Sequence, residues 1–490
     1  MRSSGILMHI SSLPSPGGIG TLGQEAYEFV DFLQAAGMSI WQVLPVGPTG
    51  YGDSPYQSSS VFAGNPLLIS CRKLRDDGLL SYEDSEEFVP AEEDRVDYEA
   101  VKRNKNRLLR KCFEQSGSRL EKQLEDFTAK NPWVSDFALF TAIKDHFGQV
   151  MWSRWPDQDL RMRKPEALEK ARAQLKDEIA FHIFCQYLFR RQWFELKDYC
   201  KEHGIKLFGD MPIYVAEDSV DTWTHPEVFQ LDENRVPTRV AGVPPDIFSA
   251  DGQLWGNPLY RWYYLRFHKF GWWVDRMKGM AELYDIVRID HFIGFANYYS
   301  IPHGAPDARH GRWIKAPGKA LFRRLNAAVP NITIIAEDLG NQSRRVKQLL
   351  KWCGFPGMKV LTFGFDGDKT NPHYPGCSPK NYVAYTGTHE NDTTLGWAEK
   401  ADPKVLEFAM KTLGFSQVSE APEAFIRALF KLPCDTVIVP MQDVLGLGGS
   451  ARMNFPSTIG GNWLWRMLPG QLTGALSMKY FLLNKQTNRR

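Results

Sequence analysis

Eight short apolar runs, helical patterns between most of them, and carboxylates where three of the runs end predict a closed (β/α)8 TIM barrel with its chemistry on one rim. The runs span residues 6–10, 40–44, 205–208, 285–289, 332–335, 358–365, 382–385 and 436–439. Most are continuous rather than alternating, which suits strands covered on both faces. Helical periodicity fills 23–36, 178–203, 258–282, 317–328, 343–352, 402–413 and 422–432. Repeated alternation of this kind favours a closed barrel over a doubly wound sheet.

Two connections exceed what a minimal barrel needs. About 160 residues separate the second and third runs, and structureless loops of that length are rare in compact domains. Residues 71–176 are charge-rich and helix-prone, so a helical insertion subdomain is expected there. Residues 211–257 are rich in Pro, Gly, Asp and Trp without helical period, and read as a long irregular loop over the catalytic face. The chain as a whole, 1–490, reads as one catalytic barrel carrying these additions.

Composition sets the outer bounds. With 490 residues, 43% hydrophobic, the chain can bury a large core. A net charge of +2 creates no field that would gather nucleic acid or an anionic membrane. An uncharged substrate, or one whose charge is met locally, is expected. The seven cysteines are scattered and never spaced C-x-x-C, so neither a disulfide framework nor a zinc site is suggested. No cluster has metal-ligand spacing, and no cofactor is called for. The N-terminus lacks an apolar stretch long enough for a signal peptide, and no run reaches about eighteen apolar residues. A cytoplasmic protein is expected, and three Asn-x-Ser/Thr matches (at Asn331, Asn341 and Asn391) read as chance.

The chemistry lies where runs end. Arg288 and Asp290 are two apart, so on a strand they share a face and can pair. The guanidinium would keep the carboxylate ionised, as a nucleophile requires, although in isolation the motif serves equally as a structural ion pair. Glu337, ending the next run, supplies the second acid of glycoside chemistry. The segment from Tyr385 to Asp392 adds His389 and Glu390 in a turn dense with hydrogen-bonding groups, the composition of a polyol site. Asp210 closes the third run, as another acid or as a supporting acceptor.

Aromatics beside amides and carboxylates support a sugar substrate, since sugar rings present apolar faces edged by hydroxyls. Tyr51 to Gln57, Gly252 to Asn257 and Gly461-Asn462-Trp463 have that mixture.

These and neighbouring stretches resemble the 4-α-glucanotransferases, also called amylomaltases or disproportionating enzymes. The resemblance is carried by Gly47–Gln57, Gly209–Ser219, Ala241–Asp246, Trp255–Tyr260, Val287–Phe292 and Ala336–Gly340, and runs from about Gly5 to Leu468. It implies a cytoplasmic (β/α)8 enzyme, related to α-amylases but without their C-terminal β-domain. Such an enzyme moves segments of malto-oligosaccharides, starch or glycogen-derived α-1,4-glucans between chains with retention. It further implies Asp290 as nucleophile, Glu337 as general acid/base, and Arg288, His291, His389 and Asp210 as contacts around the cleaved bond. Trp255, Asp246, Asn462, Tyr56, Ser54 and Gln57 match positions that hold the glucan, and Ile247 and Phe248 match a flap, with Ile247 where a tyrosine is common.

One departure stands out. The family usually shows Thr-His-Asp-Asn, whereas this chain has Thr388-His389-Glu390-Asn391. Glu390 therefore stands for the third carboxylate with one methylene more, a displacement of about an ångström that can cost about a hundredfold in rate. At this point an α-amylase-type hydrolase and a glucan-binding protein with weakened catalysis remain as alternatives. A barrel acting on phosphorylated metabolites is disfavoured by the lack of a Gly-rich phosphate loop.

Overall fold

Strands form where the apolar runs lie, in a computed structural model that describes residues 2–245, 249–340, 343–377, 379–456, 458 and 460–489. They are β1 (Ser3–Leu7), β2 (Ile40–Gln42), β3 (Lys206–Met211), β4 (Arg239–Val243), β5 (Gln253–Pro258), β6 (Ile286–Ile289), β7 (Asn297–Pro302), β8 (Arg312–Lys315), β9 (Thr333–Ala336), β10 (Gly357–Val360), β11 (Tyr382–Tyr385) and β12 (Thr436–Pro440). Among the described residues, eight of them form one sheet in the order β10-β11-β12-β1-β2-β3-β6-β9, and every pairing in it is parallel. The seam between β9 and β10 is bridged by the Ala336 N–H, which donates to Pro356 O at 2.9 Å. The sheet thus curls into the expected barrel.

Burial on both faces explains why the runs are continuous: Ile6, Trp41, Leu207, Val287 and Ile438 have no exposed surface. Close packing decides one glycine. A Cβ on Gly209 would lie 2.4 Å from the Tyr284 ring, so only glycine lets β3 pass that ring and deliver Asp210 to the rim.

Three boundaries differ from expectation. The run at 358–365 leaves the sheet after Val360, and Leu361–Gly364 coils into a 3-10 turn. Helicity at 258–282 is broken into Trp262–Phe267 and Gly271–Leu283, because Lys269 and Phe270 both adopt positive φ. The irregular loop expected over 211–257 is corrected more deeply: it contains the helix Val220–Thr224 and strands β4 and β5. These two strands join β7 and β8 in an antiparallel sheet ordered β5-β4-β7-β8, over a small core of Val240, Tyr299, Ile301 and Ala308. The strands are short, β5 and β8 are partly exposed, and only the β4–β7 pairing spans a long stretch of chain, so little period-2 signature is left to read.

Residues 71–176 hold helices from Cys71–Asp76 to Pro165–Gln174, followed by the long helix Lys176–Glu202 that leads into β3. A core of Phe137, Phe140, Ile143, Trp152, Trp155 and Leu160 packs this region, and Val220 and Trp223 complete it from the later segment. The Trp223 ring is fully buried, 5.7 Å from Phe140 and 5.6 Å from Trp155, and its Nε1–H donates to Leu160 O at 3.0 Å. Trp223 is thus a main anchor of the 211–257 segment on the helices, beside Val220, Asp218, which pairs with Lys144, and Glu217, whose carbonyl accepts from Trp152 Nε1–H. Trp223→Ala should cost about 3–5 kcal/mol, read as a lowered urea midpoint; an unchanged midpoint would show that the segment is held elsewhere.

Candidate active site

Strand register assembles the site. Asp210 on β3 pairs with Arg288 on β6, and Ile289 pairs with Ala336 on β9, so Asp290 and Glu337 emerge side by side from adjacent strands. Arg288 is 4% exposed and divides its guanidinium between two acids, donating from Nη1 to Asp210 Oδ2 at 2.5 Å and from Nη2 to Asp290 Oδ1 at 2.7 Å. Burial opposes its charge, but Asp210 and Asp290 together outweigh that and hold it firmly protonated. Tyr56 donates its hydroxyl to the same Asp210 oxygen at 2.7 Å. Burial pushes Asp210 upward against the pull of Arg288.

Glu337 is held by backbone. His291 N–H donates to its Oε2 at 2.9 Å and Leu339 N–H to its Oε1 at 2.7 Å. A distortion of the ladder makes the first of these bonds available. Glu337 N–H bonds Ile289 O, and a regular parallel ladder would then return the Glu337 carbonyl to His291 N–H. The carbonyl instead accepts from Phe292 N–H at 3.0 Å, leaving His291 as an extra residue with φ +48° whose N–H is free for the carboxylate. Burial, and then the nearby Asp290, push Glu337 up to about 8 against the pull of Arg288, so it carries a proton at neutral pH.

The rim surrounds an open cleft of about 1770 Å³. Ser54, Tyr56, Gln57, Trp255, Asp290, Glu390 and Asn462 line it, bringing together residues named from the sequence. Trp255 stands edge-on to His291 at 4.8 Å, and its Nε1–H donates to Gln253 Oε1. His291 is buried, which lowers it to about 4 and leaves it neutral. His389 is buried behind the cleft, stacked on Tyr56 at 5.1 Å, and burial drives it well below the ordinary histidine range. Asn462 is engaged with its own loop, accepting from Phe455 N–H and donating to Thr458 Oγ1. Asp246, with Ile247 and Phe248, lies outside the described residues.

Glu390 is exposed to solvent within the cleft, and crowding by protein followed by Asp290 shifts it upward. Its neighbour Asp392 turns away, bonded to Lys400 at 2.6 Å, and does not replace it. Leu254 and Trp463, from the aromatic stretches named in the sequence, line the cleft; so does Phe455, which with Arg452 was not anticipated, and Arg452 donates to Glu390 O at 2.6 Å. Trp463 has φ +65° after two positive-φ glycines, Gly460 and Gly461, a turn that the Gly-Gly-Asn-Trp sequence hints at.

Metal ligation was not expected from spacing. Among the described residues one trio, Asp145, Glu178 and His182, brings ligand atoms within 4.8 Å of one another, away from the rim. Its members are already engaged: Arg110 grips Glu178 with two bonds, and His182 pairs with Asp145 at 2.8 Å.

A TIM barrel whose rim sets Asp290 beside Glu337 in an open cleft lined by aromatic residues suits an enzyme that works on glycosidic bonds. Residues 8–472 match the family model described as 4-alpha-glucanotransferase. The 4-alpha-glucanotransferase of Thermus thermophilus is 46% identical over 484 residues, covering 96% of each chain, and that of Synechocystis is 44% identical over 100% of this chain and 98% of its own. Among solved structures, the amylomaltase of Streptococcus agalactiae in complex with acarbose superposes with a TM-score of 0.97 at 41% identity, covering 100% of both chains. The amylomaltase of Corynebacterium glutamicum shares the fold, with TM-score 0.78 at 18% identity over 99% of this chain and 75% of its own. The chain belongs to the 4-alpha-glucanotransferase family, and transfers α-1,4-glucan segments by a retaining mechanism.

A stability test follows from Glu337. In the unfolded chain this carboxyl ionises near its ordinary 4.5, whereas in the fold it is raised to about 8. Its contribution is therefore fully present below about 4.5 and lost as pH rises through about 8. Glu337→Gln removes that titration, so the variant's Tm relative to wild type should climb between those pH values and level off above. Parallel Tm curves would mean that Glu337 is not strained when ionised.

Proposed function

We propose that Asp290 is the nucleophile, Glu337 the acid/base and Glu390 the transition-state stabiliser of the transfer reaction. The observation that carries this reading is the register pairing that sets Asp290 beside a proton-bearing Glu337. Glu337 gives its proton to the glycosidic oxygen that leaves, while Asp290, with Arg288 as counter-charge, attacks the anomeric carbon. A covalent glucosyl-enzyme results. Glu337, now ionised, takes the proton of an incoming 4-hydroxyl as that oxygen displaces Asp290, and two inversions restore the configuration. The route requires carboxyl groups about 5 to 5.5 Å apart.

Around this centre, Arg288 and Asp210 fix the nucleophile, and His291 and His389 face sugar hydroxyls as neutral rings. Trp255, Tyr56, Ser54, Gln57 and Asn462 hold the glucan, as would Asp246. Malto-oligosaccharides and longer α-1,4-glucans serve as donors, and a glucan or glucose 4-hydroxyl as acceptor. Residues 71–176 act as an insertion on the barrel, and 211–257 as a wall of the cleft. We place the enzyme in the cytoplasm: the seven cysteines are free, and among the described residues no helix is long and apolar enough to cross a membrane.

Asp290→Asn should abolish both glucose release and growth of longer oligomers from maltotriose, followed as a chromatographic product ladder; survival of either product would remove Asp290 from its role. Because the acid must hold its proton, kcat/KM in wild type should fall as pH rises above about 8, where Glu337 ionises. A flat profile through pH 9 would assign the proton to another group.

A further inference from the structure

We infer that Arg452 is a positioning residue for the transfer reaction, fixing Glu390 relative to the facing wall of the cleft. The inference rests on the reading of Glu390 given above. Arg452 follows the turn Gly449–Ala451, and its guanidinium makes two backbone bonds and one ring contact. Nη2 donates to the backbone oxygen of Glu390 at 2.6 Å, Nε donates to Asn454 O at 2.9 Å, and the plane lies 4.3 Å from the centre of the Phe455 ring. Asn454, Phe455 and Glu390 all line the cleft. One cation therefore ties the loop after β11 to the wall that also carries Asn462 and Trp463.

No carboxylate competes for this guanidinium. Among the described residues it forms no ion pair, and the neighbouring Asp392 is taken by Lys400 at 2.6 Å. The turn that carries Glu390 is held from the other side by Thr388 and Asn391, whose N–H and hydroxyl to Oδ1 bonds measure 2.8 and 2.9 Å. Its own N–H reaches Thr388 Oγ1 at only 3.3 Å. Arg452 is thus the second fixed point of that turn. A glutamate has three side-chain torsions, so the place its carboxylate occupies depends on how firmly its backbone is held. Lysine cannot do the same work, having neither a planar face for Phe455 nor two diverging donors.

The Glu390 carbonyl belongs to a solvent-exposed residue, so water can replace Arg452 there and the fold should survive its loss. The effect is expected in the chemistry. Charged groups facing Glu390 are Asp290, Asp210 and Arg288 from the barrel strands and Arg452 from the wall, with Glu337 beyond. Removing Arg452 takes away the wall's cation, so Glu390 should hold its proton to higher pH and the acid limb of kcat should move upward.

The test is a double-mutant cycle on maltotriose disproportionation with R452M, R452K, E390Q and E390Q/R452M. R452M should lower kcat about 10–100-fold while KM stays within about threefold, with Tm nearly unchanged and the acid limb displaced. R452K should recover part of the loss. In the E390Q background, adding R452M should change kcat by less than about twofold, since both act through one carboxylate. Wild-type kcat in R452M, or the same fold-loss in both backgrounds, would overturn the inference. Full activity of E390Q would instead overturn the assignment of Glu390 itself. Should R452M fail to fold, R452Q replaces it in the cycle under the same criteria.

Discussion

A buried guanidinium shared by two carboxylates is the constraint on which the rim depends. Arg288 comes from the middle of a barrel strand, yet its charge is satisfied only if Asp210 on the neighbouring strand and Asp290 two residues ahead both face it. Bringing an isolated cation to that depth would cost several kcal/mol, and the fully buried Asp210 alone would be no cheaper. The three are tolerable only as a set, and Tyr56 adds a donor to the acid that is fully buried. The network therefore fixes where Asp290, the proposed nucleophile, stands before any sugar arrives, the condition for placing reacting atoms within near-attack distance.

The same strand end solves an opposite problem at Glu337. A proton donor must stay protonated at neutral pH, which burial beside Asp290 achieves, but a buried acid also needs partners for its oxygens. Two backbone N–H groups supply them, one available only because His291 occupies left-handed backbone and steps out of the ladder. Left-handed conformation in a bulky residue costs about 1–3 kcal/mol. That cost, together with the raised Glu337, marks the rim as the place where stability is given up for chemistry.

The barrel was legible because its strands are short runs of adjacent apolar residues, and continuous burial is written directly into composition. Tyr382–Tyr385 coincides with its apolar run, and the other seven barrel strands begin or end within a few residues of theirs. The antiparallel sheet of β4, β5, β7 and β8 was not legible, since Arg312–Lys315 is largely exposed and pairs only with β7. Charged residues were legible by type, for Arg288-x-Asp290 has one stereochemical meaning on a strand. Arg452 was invisible: it bonds backbone carbonyls, which every residue carries, so nothing in the sequence tells an arginine of this kind from a solvated one. At 390 the sequence shows only a side chain one methylene longer than usual in the family, which leaves its consequence open. Its backbone anchorage, which decides where that length points, appears only in three dimensions.

Transfer outruns hydrolysis only if sugar excludes water at the glucosyl-enzyme, and the cleft's walls bear on that competition. Leu254 and Trp255 from β5 line the cleft, as do Phe455 and Trp463, and Leu254 and Phe455 are 40% and 43% exposed. Apolar surface left open in this way gains about 25 cal/mol for each Å² that a sugar face covers. Water gains nothing comparable there. An acceptor glucan can thus be held by wall contacts remote from the reacting bond, raising its local concentration beside Glu337, whereas a water molecule has only the reacting centre to bind. In the proposed mechanism the barrel strands carry the acids common to retaining chemistry, and the walls that bear Leu254, Trp255, Phe455 and Trp463 would tilt the intermediate toward a sugar hydroxyl.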